Sequence, residues 1–257
     1  MPAALKTDMT GSTLVLTISH PERRNALDPC MYAAGIEALN AAESSRDVRA
    51  VVITGEAMCF SSGGNLQRLA NNHKLPECEQ SEGVRGLHGW VEAIQTSSKP
   101  VIAAVEGVAA GAGFSIALAC DFLIASETSR FSIAHSRMGL SPDGGATWFL
   151  TRALPKATAL YLMMSGSDIS ARRLWELGAI TQLAPEAQAL PLALQVAANI
   201  AKQPEATLAS IKELAVGALR NSLPDQLHQE QKHFLLHLRS HETRQRIDAF
   251  LAKVNAR

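Results

Sequence analysis

Asp143, set between Pro142 and Gly144, is the most informative ionisable residue of the chain. An Asp entering a helix can serve only as an N-cap, or its carboxylate can act as a base beside a polarised carbonyl. Two turns of tiny residues could do the polarising. Ser61-Ser62-Gly63-Gly64 follows the apolar Met58-Cys59-Phe60, and Gly107 to Gly113 follows Val101-Ile102-Ala103-Ala104-Val105. Where such a turn opens a helix, the first amides have no partner within the helix and little side chain to cover them. Uncovered N–H groups attract negative charge, standing or developing. Two turns side by side would aim two amides at one point, as an oxyanion hole requires. Close helix–sheet packing is the competing reason for residues this small.

Other patterns carry less. Ser115 in Gly113-Phe114-Ser115-Ile116-Ala117 nearly matches the Gly-x-Ser-x-Gly elbow, but the last glycine is absent and the preceding strand ends ten residues earlier. His233, His237 and His241 recur every fourth residue, so they share a helix face. Without a His-Glu-x-x-His pair, and beside Lys232, Arg239 and Arg244, they read as a solvated or subunit-facing stripe. Cys30, Cys59, Cys78 and Cys120 are scattered, which indicates neither a disulfide framework nor a zinc site. Neither a dinucleotide-binding glycine pattern nor a P-loop is present.

The elements that must hold these residues alternate between strand and helix. Thr13–Ile18, Val48–Thr54, Val101–Val105, Phe122–Ala125 and Arg130–Ile133 read as strands; Pro29–Glu43, Leu87–Thr96, Phe114–Cys120 and Ala146–Arg152 read as helices. Asn71 to Glu82 is polar and irregular, a loop or broken helix beside the site, and with the helix around Trp90 it is expected to wall the pocket. From Lys156 onward the pattern is nearly all helical. Repeated β-then-α units with a helical tail predict an α/β fold. At 257 residues, 47% apolar with a net charge of +0, the chain can bury a large core and has no electrostatic pull toward nucleic acid or an anionic membrane. No apolar run is long enough to span a bilayer, and the start lacks signal-peptide anatomy. A cytoplasmic protein is expected.

Pro21-Glu22-Arg23-Arg24-Asn25-Ala26-Leu27-Asp28, Phe60-Ser61-Ser62-Gly63-Gly64-Asn65-Leu66, Lys99 to Gly107 and Gly139 to Thr147 resemble, in order and spacing, the crotonase (enoyl-CoA hydratase/isomerase) superfamily. The resemblance implies a ββα superhelix core over residues 1–200 and a C-terminal helical trimerisation region over 201–257. It implies an acyl-CoA thioester as substrate, no separate cofactor or metal, and a homotrimer or dimer of trimers. The family's two oxyanion amides fall on Ser62 and Ala112. Substrate contacts fall on Arg24, Ala26, Gly63, Gly64, Leu66, Gly111 and His135, with Phe250 and Lys253 reaching a neighbouring subunit's CoA. Asn65 stands where the family more often has Asp.

The departures point to the reaction. Ser115 and His135 occupy the positions of the two glutamates that the family's hydratases use, so neither hydration acid is present. Ala134 to Trp148 resembles instead the phenylacetate-pathway isomerase branch, in which the acid at position 143 shuttles a proton. Dehalogenases of the family use that position as nucleophile, but with Trp where this chain has His135. The resemblance thus implies an acyl-CoA isomerase with Asp143 as acid/base. The alternatives are an enoyl-CoA hydratase using water held by Asp143 or His135, and an acyl-CoA-binding protein without chemistry.

Overall fold

The computed structural model describes residues 3–255, which divide into two compact units, one ending at Ile200 and the other beginning at Ala201. The first is built on a six-stranded sheet in the order β1 (Ala4–Thr10), β2 (Thr13–Ser19), β3 (Ala50–Gly55), β4 (Val101–Val105), β6 (Phe122–Ser126) and β9 (Gln182–Ala184). β1 pairs antiparallel with β2, and all later neighbours are parallel. A smaller sheet joins β5 (Val108–Ala110) in parallel to β7 (Arg130–Ser132) and β7 antiparallel to β8 (Ile169–Ser170).

The parallel strands are continuous apolar runs because both sheet faces are covered. Val51, Ile53, Val101, Ala103 and Val105 face the main core. Their alternates Ala50, Val52, Ile102 and Ala104 pack under Ala193 and Ala197 of α8 (Ala189–Ile200). α1 (Pro29–Ser44) and α3 (Glu77–Thr96) close the main-core side, where the Tyr32 and Trp90 rings lie 6.4 Å apart. α4 (Ala112–Ala119) is buried nearly all round, α5 (Ala146–Ala153) and α6 (Lys156–Ser165) follow it, and α7 (Ala171–Glu176) links β8 to β9. The seven-residue α2 (Leu66–Asn72) leaves the turn Ser61–Gly64.

Three expectations change. β1, with its Lys6 and Asp8, lacks an apolar alternation strong enough to read, because it is an edge strand exposed over most of its length. The Asn71–Glu82 stretch takes the broken-helix form of the two expected, and what changes is the extent of α3, which starts at Glu77, where Glu77 and Glu79 favour a helix N-terminus. The tail from Lys156 is not all helical: β8 and β9 interrupt it as short additions to sheet edges.

The second unit comprises α9 (Glu205–Ala218), α10 (Leu223–Leu238) and α11 (His241–Asn255). Two members of the histidine stripe turn inward, while His241 stays exposed. His233 Nδ1 and His237 Nε2 each lie 2.8 Å from the buried Ser210 hydroxyl, tying α10 to α9. Among the described residues no helix is long and apolar enough to cross a membrane.

The buried Glu106, just past β4, accepts the amides of Ala187 and Ala189 and so anchors the start of α8. Glu106→Ala is expected to cost about 1–3 kcal/mol by stranding those amides. Faster hydrogen exchange at the start of α8, measured by mass spectrometry, checks it.

Candidate active site

The site begins with a loop bound to a loop. Arg24 and Asn25 both adopt left-handed backbone, φ 51° and 56°, a conformation that a short polar side chain such as Asn tolerates. The Asn25 side chain is fully buried and holds three backbone groups. Its Oδ1 accepts the His20 amide at 2.9 Å, and its Nδ2 donates to the Glu56 and Cys59 carbonyls at 2.8 and 2.6 Å. Residues 20–27 are thereby fastened to residues 56–60. The Cys59 thiol is pushed above its ordinary pKa by burial, which disfavours the nucleophilic thiolate.

The turn Ser61–Gly64 runs between two partners. Ser61 bridges Ala109 of β5 in parallel, and Gly64 bridges Leu27 in parallel. The Ser62 amide donates to the Arg24 carbonyl at 2.9 Å. That corrects the expectation that Ser62 supplies an oxyanion donor, because its N–H is already committed. The free donor is two residues on. Gly63 accepts the Leu27 amide at 2.8 Å through its carbonyl. In a trans peptide the C=O and the next N–H point in opposite directions, so the Gly64 amide points away from Leu27. On that side lies the start of α4. A Cβ on Gly63, whose φ is +96°, would stand 2.8 Å from the Ala110 oxygen and 3.5 Å from the Ala112 nitrogen.

Ala112 is the first residue of α4, and the Gly111 carbonyl ahead of it accepts the Ser115 amide at 3.0 Å. The Ala112 N–H is one of the helix's orphan donors. Among the described residues neither the Gly64 nor the Ala112 amide meets an acceptor. Two such amides can hold one oxygen as it gains charge. Gly64, expected only as a substrate contact, is the uncommitted amide of its turn, where Ser62 had been expected to be. The signal lay in the glycine pair, since Gly63 needs a positive φ to turn its peptide over.

Asp143 does not cap α5. That place belongs to Gly145, φ 79°, and Asp143 offers only its backbone oxygen to the Ala146 amide. The Asp143 carboxylate is about one-third exposed and its Oδ1 lies 3.1 Å from His135 Nε2. The His135 ring, mostly buried, lies over Gly111, where a Cβ would be 3.5 Å from Cε1. Its Nδ1 is buried without a partner. An orphaned N–H there would cost more than an orphaned lone pair, which favours the tautomer that donates from Nε2 to Asp143. Ser115 is fully buried and its hydroxyl donates to the Asp143 carbonyl at 3.0 Å. That removes it as an exposed nucleophile and makes it a tie between α4 and the Asp143 backbone.

The remaining residues spread along the approach. Exposed Arg24 separates two grooves, one of about 240 Å³ reaching Glu56 and Cys59, the other of about 250 Å³ reaching Ser62, Arg130 and Asp168. Ala26 is buried beneath the loop and Leu66 is exposed at the head of α2. Trp90, on the helix expected to wall the pocket, is fully buried against Gly35, and Leu87 one turn earlier is buried as well. Asn65 caps α2 and donates to Asp28 at 3.2 Å. Phe250 and Lys253 lie on α11 of the second unit, Phe250 in a groove of about 360 Å³ with Pro204, Thr207 and Arg246.

Known proteins match this arrangement. The family profile Enoyl-CoA hydratase/isomerase matches residues 8–257. A 1,2-epoxyphenylacetyl-CoA isomerase of Escherichia coli K12 is 35% identical over 93% of this chain and 92% of its own. A 2,3-dehydroadipyl-CoA hydratase of the same organism is 31% identical over the same shares. The crystal structure of an enoyl-CoA hydratase from Polaromonas sp. JS666 superposes with a TM-score of 0.95 at 50% identity, covering 97% of each chain.

Asn25→Ala removes three backbone anchors at once. It is expected to cost at least about 1–3 kcal/mol, read as a lower urea midpoint at unchanged slope.

Proposed function

The chain belongs to the enoyl-CoA hydratase/isomerase family, with its α/β crotonase fold, and from that premise we propose that it is an acyl-CoA isomerase using Asp143 as its single acid/base. The observation that carries this reading is the Asp143 carboxylate, held by His135 over the turn that ends in the Ala112 amide. The positions that carry glutamates in the family's hydratases hold a buried serine and a histidine instead.

In this reading the thioester oxygen sits on the Gly64 and Ala112 amides, which stabilise the enolate formed when a proton leaves the acyl chain. His135 Nε2 occupies Asp143 Oδ1. The other oxygen, Oδ2, takes the proton and returns it to a different carbon of the delocalised enolate. One carboxylate suffices, because the proton lost and the proton gained are the same and no water is added. Arg24 and Arg130, facing the groove beside Ser62, supply positive charge for the phosphates of CoA. The relatives include hydratases, which supports hydration as the second reading, with water held by the same Asp143–His135 pair.

The second unit carries the assembly reading. Leu223, Leu227, Phe234, Leu236 and Leu251 expose large apolar surfaces there, which a trimer or hexamer would cover. Phe250 and Lys253 would then reach a neighbour's CoA.

Asp143→Asn is expected to slow migration of the double bond in 3-enoyl-CoA thioesters by about 10²–10⁴-fold, while calorimetry shows CoA-ester binding retained. Turnover at the wild-type rate removes Asp143 from the mechanism, and loss of crotonyl-CoA's conjugated absorbance with the wild type favours hydration. Sedimentation equilibrium should give a mass of three or six chains, and a monomer refutes the assembly reading.

A further inference from the structure

We propose that the acyl group taken by this site ends in an anion, a carboxylate, received by Arg68 with Tyr32 beside it. The inference rests on the reading of Asp143 as the proton carrier and narrows it to a substrate class. Arg68 lies on α2, half-buried, and its guanidinium meets α3 by its Nη2 end. A Cβ at Gly83 would stand only 2.3 Å from its Nη2, so the seat exists because that residue is glycine. One turn further along α3, a Cβ at Gly86 would meet the Tyr32 ring at 3.2 Å. Leu87, next to it, reaches the backbone beside Asp143, its Cδ2 lying 3.1 Å from where a Gly144 Cβ would be. Arg68, Tyr32 and Asp143 therefore follow one another along a single face of α3. Gly83 and Leu87 are about 6 Å apart along the helix axis, a span that a short acyl chain covers.

The charges around this row do not balance. Among the described residues no carboxylate lies within ion-pair distance of Arg68. Asp28 is engaged by the Asn65 amide nitrogen. Burial pushes the Tyr32 hydroxyl up to about 12, with the nearby Arg68 charge acting against it and Asp143 and Asp28 adding to it. Tyr32 thus stays a neutral hydrogen-bond donor beside the cation. An apolar acyl tail laid over Arg68 would strip water from an unpaired guanidinium, which is costly. A carboxylate would instead meet a planar fork that matches it with two hydrogen bonds. The order of the row also suits an anionic tail, because the repelling Asp143 stands at the reacting carbons and the attracting Arg68 at the far end.

The test compares hexanoyl-CoA with adipoyl-CoA, its carboxylate-ended counterpart; both are saturated, so binding is read without turnover. Calorimetry on the wild type should show adipoyl-CoA bound at least about tenfold more tightly. In Arg68→Met that ratio should collapse toward one. Gly83→Ala keeps the charge but forces the guanidinium off its seat, and it should lower the ratio while the helix gains a better helix former. Equal affinities in the wild type, or a ratio unchanged in both variants, overturn the proposal. Assays on 3-hexenoyl-CoA and 3-hexenedioyl-CoA separate this from the parent reading. Turnover of both without preference sinks the anionic tail alone, whereas a binding preference without isomerisation of either sinks the isomerase alone.

Discussion

One peptide unit governs the arrangement around Ala112. The Leu27 amide holds the Gly63 carbonyl, and planarity of the peptide then forces the Gly64 N–H to the opposite side, toward the start of α4. That turn stays in place only because Ser61 is bridged to β5 on one flank and Gly64 to Leu27 on the other. Neither pairing is longer than a single bridge, so each depends on the anchors around it. Asn25 supplies most of these, through three backbone contacts made from a fully buried side chain. A positive φ at Gly63 completes the geometry, and the Ala110 oxygen 2.8 Å from a notional Cβ keeps larger residues out.

The acid side is built by a different device. Asp143 lies in a run with left-handed glycines at 139, 144 and 145, a loop too irregular to hold a side chain by itself. Two contacts from separate elements supply the rigidity. Ser115, from inside α4, grips the Asp143 carbonyl, and His135, from the preceding 3-10 turn, grips the carboxylate. The helix whose first amide faces Gly63 therefore also locates the acid. Carbonyl polarisation and proton transfer, as proposed, share one rigid body. Such sharing favours a reaction whose barrier depends on small distances.

Glycine on α3 does similar work for the acyl wall. Positions 83, 86 and 89 leave room for Arg68, Tyr32 and Ile36 to lie against the helix. The helix accepts weaker intrinsic propensity in return for the close approach of large side chains from α1 and α2. Trp90 fills the next turn inward, where Gly35 leaves its ring space. The same helix thus carries core packing on one stretch and site wall on another.

From the amino-acid sequence alone, β3 and β4 were legible as unbroken apolar runs, which burial on both faces demands, and β2 by its β-rich alternation. The two small-residue turns, Asp143 and the likeness to the enoyl-CoA hydratase/isomerase family were legible too, since they are patterns of residue type along the chain. Edge strand β1 and the polar start of α3 were not, for one-sided burial leaves little trace in composition. Tertiary structure alone decided which amides are free. An N–H has no side chain to announce its direction: that of Ser62 is taken by the Arg24 carbonyl, whereas that of Gly64 is turned away by the bond Gly63 accepts from Leu27. It alone also decided that Asp143 meets His135 rather than capping α5, that Ser115 is buried, and that His233 and His237 converge on Ser210. Each of those depends on where a side chain from another element arrives, and such distances are set by packing rather than by spacing along the chain.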